Sequence, residues 1–135
     1  MLEATLATKT LPYQRYYVTF YAPHLQHLLN SDDYYFVTDP YRNVLRSLIN
    51  FFQSLRIYLR EKPNVIITTG ACVAIATCLI AKIFGAKVII IETAAAIKGP
   101  SGTGKFLYPF ANLFFVQWKS QLRHYKSAVY VGDLF

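Results

Sequence analysis

Acidic residues are scarce in this chain: seven Asp and Glu stand against 14 Lys and Arg in 135 residues, a formal net charge of +7. That balance favours a polyanionic partner, whether nucleic acid, an anionic membrane face or a phosphorylated substrate. Cysteine is nearly absent. Cys72 and Cys78 lie six apart in one apolar stretch, and on a helix that spacing cannot reach disulfide geometry. They read as buried thiols in a reducing compartment. Histidine is too thin for zinc, because His24 and His27 have no third ligand near them in sequence, so neither metal nor cofactor is expected. No secretory leader is expected, since the first nine residues are polar and carry Glu3. No long hydrophobic run exists either. Residues 65–81 are broken by Thr68, Thr69, Gly70 and Thr77 and closed by Lys82, short of the roughly 20 apolar residues of a spanning helix. Low-complexity tracts and internal repeats are missing.

What remains is greasy and aromatic. Hydrophobic residues make up 54% of the chain, with eleven Tyr and ten Phe, which excludes disorder and suits a single domain over residues 1–135. Short β-branched or aromatic runs at 15–20, 33–38, 64–69, 87–91, 113–117 and 128–131 read as strands. Helical patterns at 24–29, 43–60, 72–84, 105–111 and 118–125 lie between them. Continuous apolar strands alternating with helices predict an α/β fold with a Rossmann-like, doubly wound parallel sheet. In such sheets ligands gather beyond the carboxyl ends of the strands.

The helix over 43–60 is the most legible element. Val44, Leu45, Leu48, Phe51, Phe52, Leu55, Tyr58 and Leu59 recur at helical spacing and are expected to face the core. Arg42, Arg46, Asn50, Gln53, Arg56 and Arg60 fall on the other side. That side is either a plain solvated face or a surface resting on anionic lipid head groups, with Arg42, Arg46 and Arg56 as its contacts.

The segment Gly99-Pro-Ser-Gly-Thr-Gly-Lys-Phe106 approaches the phosphate-loop pattern and then fails it. Phe106 stands where a hydroxyl would hold magnesium, and Asp133 is a poor second ligand, which argues against an ATPase. Small residues and lysines opening a helix can still aim amides at a phosphate, so Lys98, Ser101, Thr103, Gly104 and Lys105 are candidate phosphate binders. A plain flexible loop is the alternative. Thr69, Gly70 and Ala71 join a buried strand to a helix and would line the same crevice. Glu92 is the lone carboxylate between Lys62 and Gly132, a stretch with eight Lys or Arg. Directly after a strand, it reads as a general base, as an acceptor of sugar or loop hydrogen bonds, or as an ion-pair partner of Lys98 or Lys105. Gln117 and Trp118, at a strand end, read as a stacking platform, a partner contact or simple packing. Nucleic-acid binding has no reader motif behind it and is not expected.

Six stretches in this order carry a resemblance. They are Asp39-Pro-Tyr-Arg-Asn43, Lys62-Pro-Asn-Val-Ile-Ile-Thr-Thr-Gly-Ala71, Phe84-Gly-Ala-Lys-Val-Ile-Ile-Ile91 through to Glu92, Pro100-Ser-Gly-Thr-Gly-Lys-Phe-Leu-Tyr-Pro109, Phe115-Val-Gln-Trp118 and Ala128-Val-Tyr-Val-Gly132. The chain resembles the acceptor-side subunits of two-component GT-B glycosyltransferases, the Alg-fourteen family, and within it the bacterial PssD-type exopolysaccharide branch. The resemblance implies the amino-terminal half of a GT-B enzyme lying peripherally on the cytoplasmic membrane face. It would present a polyprenyl-diphosphate-linked acceptor to a separate donor-binding subunit that carries the UDP-sugar. It implies no metal. The family opens with a strand and a Gly-Gly-His loop ahead of its first helix, the strand lying centrally in the sheet. Here the sequence begins at Met1-Leu-Glu, where that helix is expected, and the histidine's role passes to neither His24 nor His27. A non-catalytic, membrane-docked scaffold is the other reading.

Overall fold

In the computed structural model the described residues are 2–28 and 33–132. Asp133 and the last residue of the helix expected at 24–29 lie outside them. A short helix α1 (Leu2–Thr8) precedes β1 (Tyr17–Phe20), a 3-10 helix (Pro23–Leu28) and β2 (Tyr34–Val37). Next come α2 (Val44–Glu61), β3 (Val65–Thr68), α3 (Ala74–Ile83), β4 (Lys87–Ile91) and α4 (Gly102–Leu107). The chain continues through a 3-10 turn (Tyr108–Phe110), β5 (Leu113–Val116), a 3-10 helix (Lys119–Arg123) and β6 (Val129–Tyr130). The expected helices at 24–29 and 118–125 are 3-10 turns. The one expected at 105–111 starts three residues early, because Ser101 caps it.

Every strand pair formed by the described residues is parallel. The single sheet expected from the sequence is, however, two: β1 pairs with β2, and β3-β4-β5-β6 form a four-stranded sheet in sequence order. The core lies under the larger sheet, where Cys78, Ile80, Val88, Ile90, Leu107 and Val116 are almost wholly removed from solvent. Phe114, Tyr125 and Tyr108 close its lower side as an aromatic triangle with centroids 4.4 to 5.1 Å apart. The smaller sheet is held by ring contacts, a stacked Tyr17–Tyr34 pair at 4.9 Å and an edge-on Tyr16–Tyr35 pair at 5.6 Å. Burial, with the nearby Glu61 charge adding to it, pushes the Tyr16 hydroxyl well above the usual phenol range.

The capping of α2 follows its sequence. The Asn43 side chain accepts from the Arg46 amide at 3.1 Å, and Lys62 closes the far end in the left-handed region at φ 44°. Its orientation differs from the expectation. Of the face expected inside, Tyr58 is buried and Phe51 and Leu55 pack partly buried against the core, joined there by Asn50 and Ser54, whereas Val44, Leu45, Leu48, Phe52 and Leu59, with Ile49, face outward. The rotation has a polar cause. The Asn50 amide donates to the Thr38 carbonyl at 2.8 Å, and the Gln53 side-chain oxygen accepts from the Thr38 amide at 2.7 Å. Both ties bind α2 to the end of β2 and fix which side of the helix turns inward. Of the basic residues expected opposite the core, Arg42, Arg46, Arg56 and Arg60 are exposed, but Asn50 is not. No helix among the described residues is long and apolar enough to cross a membrane.

Candidate functional site

The carboxyl ends of β3 and β4 bring together most of the residues singled out by sequence. Gly70 turns the chain after β3 with φ 88°, a conformation glycine adopts without strain. Its amide donates to the Thr68 hydroxyl oxygen at 3.2 Å. A Cβ built on Gly70 would lie 3.9 Å from Glu92 Oε1, so the β3 turn and the start of the β4 loop adjoin. Across the same rim the Cys72 sulfur lies 3.5 Å from the Thr103 hydroxyl. Cys72 is exposed, against the expectation of two buried thiols, and Cys78 is fully buried. Lack of hydration pushes the Cys78 thiol up to about 12.

Glu92 sits at the centre of this rim, but not in an open crevice. It is 1% exposed. Oε1 accepts from the Ser101 hydroxyl at 2.7 Å and from the Thr93 amide at 3.2 Å. Oε2 accepts from the Tyr125 hydroxyl at 2.6 Å and from the Ser101 amide at 3.3 Å. Four donors therefore surround a carboxylate that would otherwise carry a large desolvation cost. Neither lysine pairs with it; among the described residues the ion pair formed is Arg60–Glu61, at 3.5 Å on the far side of the fold. A general base must reach a substrate hydroxyl, and both oxygens here are occupied by the chain itself. Of the roles open for Glu92, the catalytic base and the lysine ion pair give way to the acceptor of loop hydrogen bonds, a clamp holding the Ser101 loop.

The clamp explains the glycines better than a phosphate loop does. The Ser101 hydroxyl donates to Glu92 while accepting from the Gly104 amide at 2.9 Å, capping α4. A Cβ on Gly104 would overlap Glu92 Oε2 and come within 2.7 Å of the Tyr125 hydroxyl and 2.8 Å of Ser101 Oγ. Glycine is required there for space. Thr103 and Gly104 are buried, which removes them as direct phosphate contacts. Lys98 and Lys105 project into solvent, Ala71 is exposed, and Thr69, Gly70 and Ser101 are half-buried.

Of the readings open for Gln117 and Trp118, the packing one fits their contacts. Gln117 is buried and donates to the Glu92 carbonyl at 3.0 Å, while the Trp118 indole donates to the Ala94 carbonyl at 2.8 Å. Gln121 continues the series, donating to the carbonyls of Ala96 and Gly99. These side chains strap the loop after β4 from beneath and offer little to a partner. Sequence reasoning missed Tyr125 and Gln121. It also missed Glu3, whose carboxylate reaches the Ala94 amide at 3.4 Å from α1. Burial first, and then the Glu92 hydrogen bond and charge, push the Tyr125 hydroxyl far above the ordinary phenol value. Tyr125 therefore stays a donor at any physiological pH. No group of three or more potential metal ligands gathers among the described residues. Two surface concavities lie at the opposite, amino ends of the strands, around Tyr108 and Asn112 and around Lys62 and Phe84.

With this geometry in place, the comparisons with known proteins are decisive on family and fold. The family described as "Oligosaccharide biosynthesis protein Alg14 like" matches residues 37–134. This chain belongs to the Alg14 family. Among curated members it is 37% identical over 75 residues to the UDP-N-acetylglucosamine transferase subunit alg14 of Schizosaccharomyces pombe, covering 52% of this chain and 36% of that one. It is 28% identical over 97 residues to the human UDP-N-acetylglucosamine transferase subunit ALG14, covering 67% of this chain and 45% of that one. The matched part is thus less than half the length of either relative. Both are eukaryotic, and so speak for the family and not for its bacterial branch. The crystal structure of MurG from Acinetobacter baumannii superposes on 89% of this chain and 38% of its own, with a TM-score of 0.68 and 16% identity. That likeness establishes the fold: an α/β, Rossmann-like unit of the kind that forms one half of a GT-B glycosyltransferase.

Proposed function

We propose that this Alg14-family chain is the acceptor-side subunit of a glycosyltransferase working with a separate donor-binding subunit at the cytoplasmic face of a membrane. The reaction moves a sugar from a UDP-sugar to a polyprenyl-diphosphate-linked saccharide. The names of the relatives supply the transferase class and the subunit character. The observation that carries the acceptor role is the rim itself. A loop locked by Glu92, Ser101 and Tyr125 presents Lys98 and Lys105 to solvent beside the Gly70 turn. Cations carried on a locked loop suit an anionic diphosphate by charge.

In the transfer the acceptor hydroxyl oxygen bonds to the anomeric carbon as that carbon's bond to UDP breaks, and the hydroxyl proton passes to a base. Glu92 holds the rim in shape and takes no proton. Lys98 and Lys105 meet the acceptor's diphosphate, and residues 69–71 line the crevice. In an assay reconstituted with the donor subunit, Lys105→Ala is expected to lower turnover at limiting acceptor by about tenfold or more. Unchanged turnover in the Lys98→Ala, Lys105→Ala double variant would end the acceptor assignment. A second reading, a membrane-docked scaffold without chemistry, is favoured by the closure of Glu92. It requires the donor subunit alone to work at full rate on a soluble acceptor.

A further inference from the structure

The outward face of α2 is the largest feature of the molecule that the reading above leaves unused. Six apolar side chains, Val44, Leu45, Leu48, Ile49, Phe52 and Leu59, are exposed on it, Leu45 by 67% and Phe52 by 64%. At 3.6 residues per turn they share an arc of roughly 140°. Arg56 sits at one border of this arc, followed by Arg60 and Arg46, all exposed. The single acid of the helix, Glu61, points elsewhere: it takes the Tyr35 hydroxyl and pairs with Arg60. The apolar arc is therefore broad and free of carboxylates, with cations along one edge, of which, among the described residues, Arg60 alone is paired. The opposite side of the same helix is tied down by Asn50 and Gln53, so the apolar side cannot turn inward without breaking those bonds.

We propose that α2 is a lipid-docking helix that lies in the plane of an anionic membrane. Its apolar arc enters the head-group boundary, and Arg46 and Arg56 meet lipid phosphates. Charge decides the occupant. A second copy docking through the same face would set this arginine border against its own kind. An anionic bilayer offers hydrocarbon to the arc and phosphate to the border at once. The inference deepens the membrane placement proposed above, and it needs neither the acceptor nor the donor subunit.

Co-sedimentation with phosphatidylcholine vesicles, with and without phosphatidylglycerol, tests it. The wild-type chain is expected to bind the anionic vesicles and to be released by added salt. Leu45→Ser with Phe52→Ser is expected to weaken partition by about tenfold or more. Arg46→Glu with Arg56→Glu is expected to abolish the preference for phosphatidylglycerol. All four positions are solvent-facing, and matching thermal melts would show the fold intact. Wild-type protein left in the supernatant, or variants that bind as it does, would overturn the proposal. So would light scattering that finds a dimer dissolved by the Leu45→Ser, Phe52→Ser pair. Because these vesicles hold no polyprenyl acceptor, lost sugar transfer with retained vesicle binding defeats the transferase reading and not this one.

Discussion

The loop after β4 and the outward face of α2 depart from ordinary burial in opposite directions. In the loop a carboxylate is buried to 1% exposure and answered by four donors. On the helix a run of apolar side chains lies exposed to water, while asparagine and serine share the interior with Tyr58. A buried charge persists only where its partners are complete. An exposed apolar arc on a soluble face points to something that covers it. The first region is finished within this chain, and the second is not. Substitutions should therefore cost stability in the loop and association on the helix.

The largest effect is expected at Gly104. The methyl group of Gly104→Ala would occupy space held by Glu92 Oε2, with the Tyr125 hydroxyl 2.7 Å away and Ser101 Oγ 2.8 Å away. None of the three can retreat without loosening a bond to the buried charge. We expect a loss of about 2 to 4 kcal/mol, from overpacking together with a weakened charged hydrogen bond. Urea unfolding followed by the emission of Trp118, whose indole reports on the strapped loop, measures it. A silent Gly104→Ala would mean the clamp yields easily and would remove the contrast between the two regions.

Tyr125→Phe comes next. It leaves Glu92 with its Ser101 and Thr93 donors but without the bond at 2.6 Å, at a cost of roughly 1 to 3 kcal/mol. A cycle with Ser101→Ala should be non-additive if the two hydroxyls act on the carboxylate as one unit. The same residue sets a pH dependence. The hydroxyls of Tyr125 and Tyr16 and the Cys78 thiol all titrate higher in the fold than in the unfolded chain. Groups raised in this way give stability that is complete below their unfolded values and lost as pH climbs toward the folded ones. For Cys78 that window runs from its ordinary 9.0 to about 12. Stability should hold from pH 7 to 9 and fall above it, less steeply in Tyr125→Phe.

The two regions also differ in how far they could be read beforehand. The strands and the extent of α2 are legible because β-branched runs and helical spacing act locally. Positions 69–71, 92 and 101–105 sit at strand ends, so the topology alone brings them to one rim. For Glu92 the acceptor of loop hydrogen bonds stands among the readings, but the sequence does not choose it over a base, because its decisive partner, Tyr125, lies 33 residues away and looks like any core aromatic. Gly104 was noticed for the wrong reason, since a glycine needed for space and one needed for phosphate look alike. Helical periodicity identifies the stripe on α2 but not its division into an inward part, Phe51, Leu55 and Tyr58, and an outward one. Which side of an amphipathic helix faces inward is decided by tertiary partners, here the backbone of Thr38, and no local pattern carries that.

The smallest stability effect belongs to the outward face, and its smallness is the point. Phe52 is 64% exposed, so Phe52→Ser removes little buried area and should shift unfolding by under about 0.5 kcal/mol. Asn50→Ala, two positions earlier, strips the donor from the Thr38 carbonyl and should cost roughly 1 to 2 kcal/mol. For an ordinary globular helix the order would be reversed, with phenylalanine costly and asparagine cheap. Measured side by side by urea unfolding, a larger loss at Phe52 than at Asn50 would show that α2 turns its apolar arc inward in solution, and no surface would be left for lipid to cover.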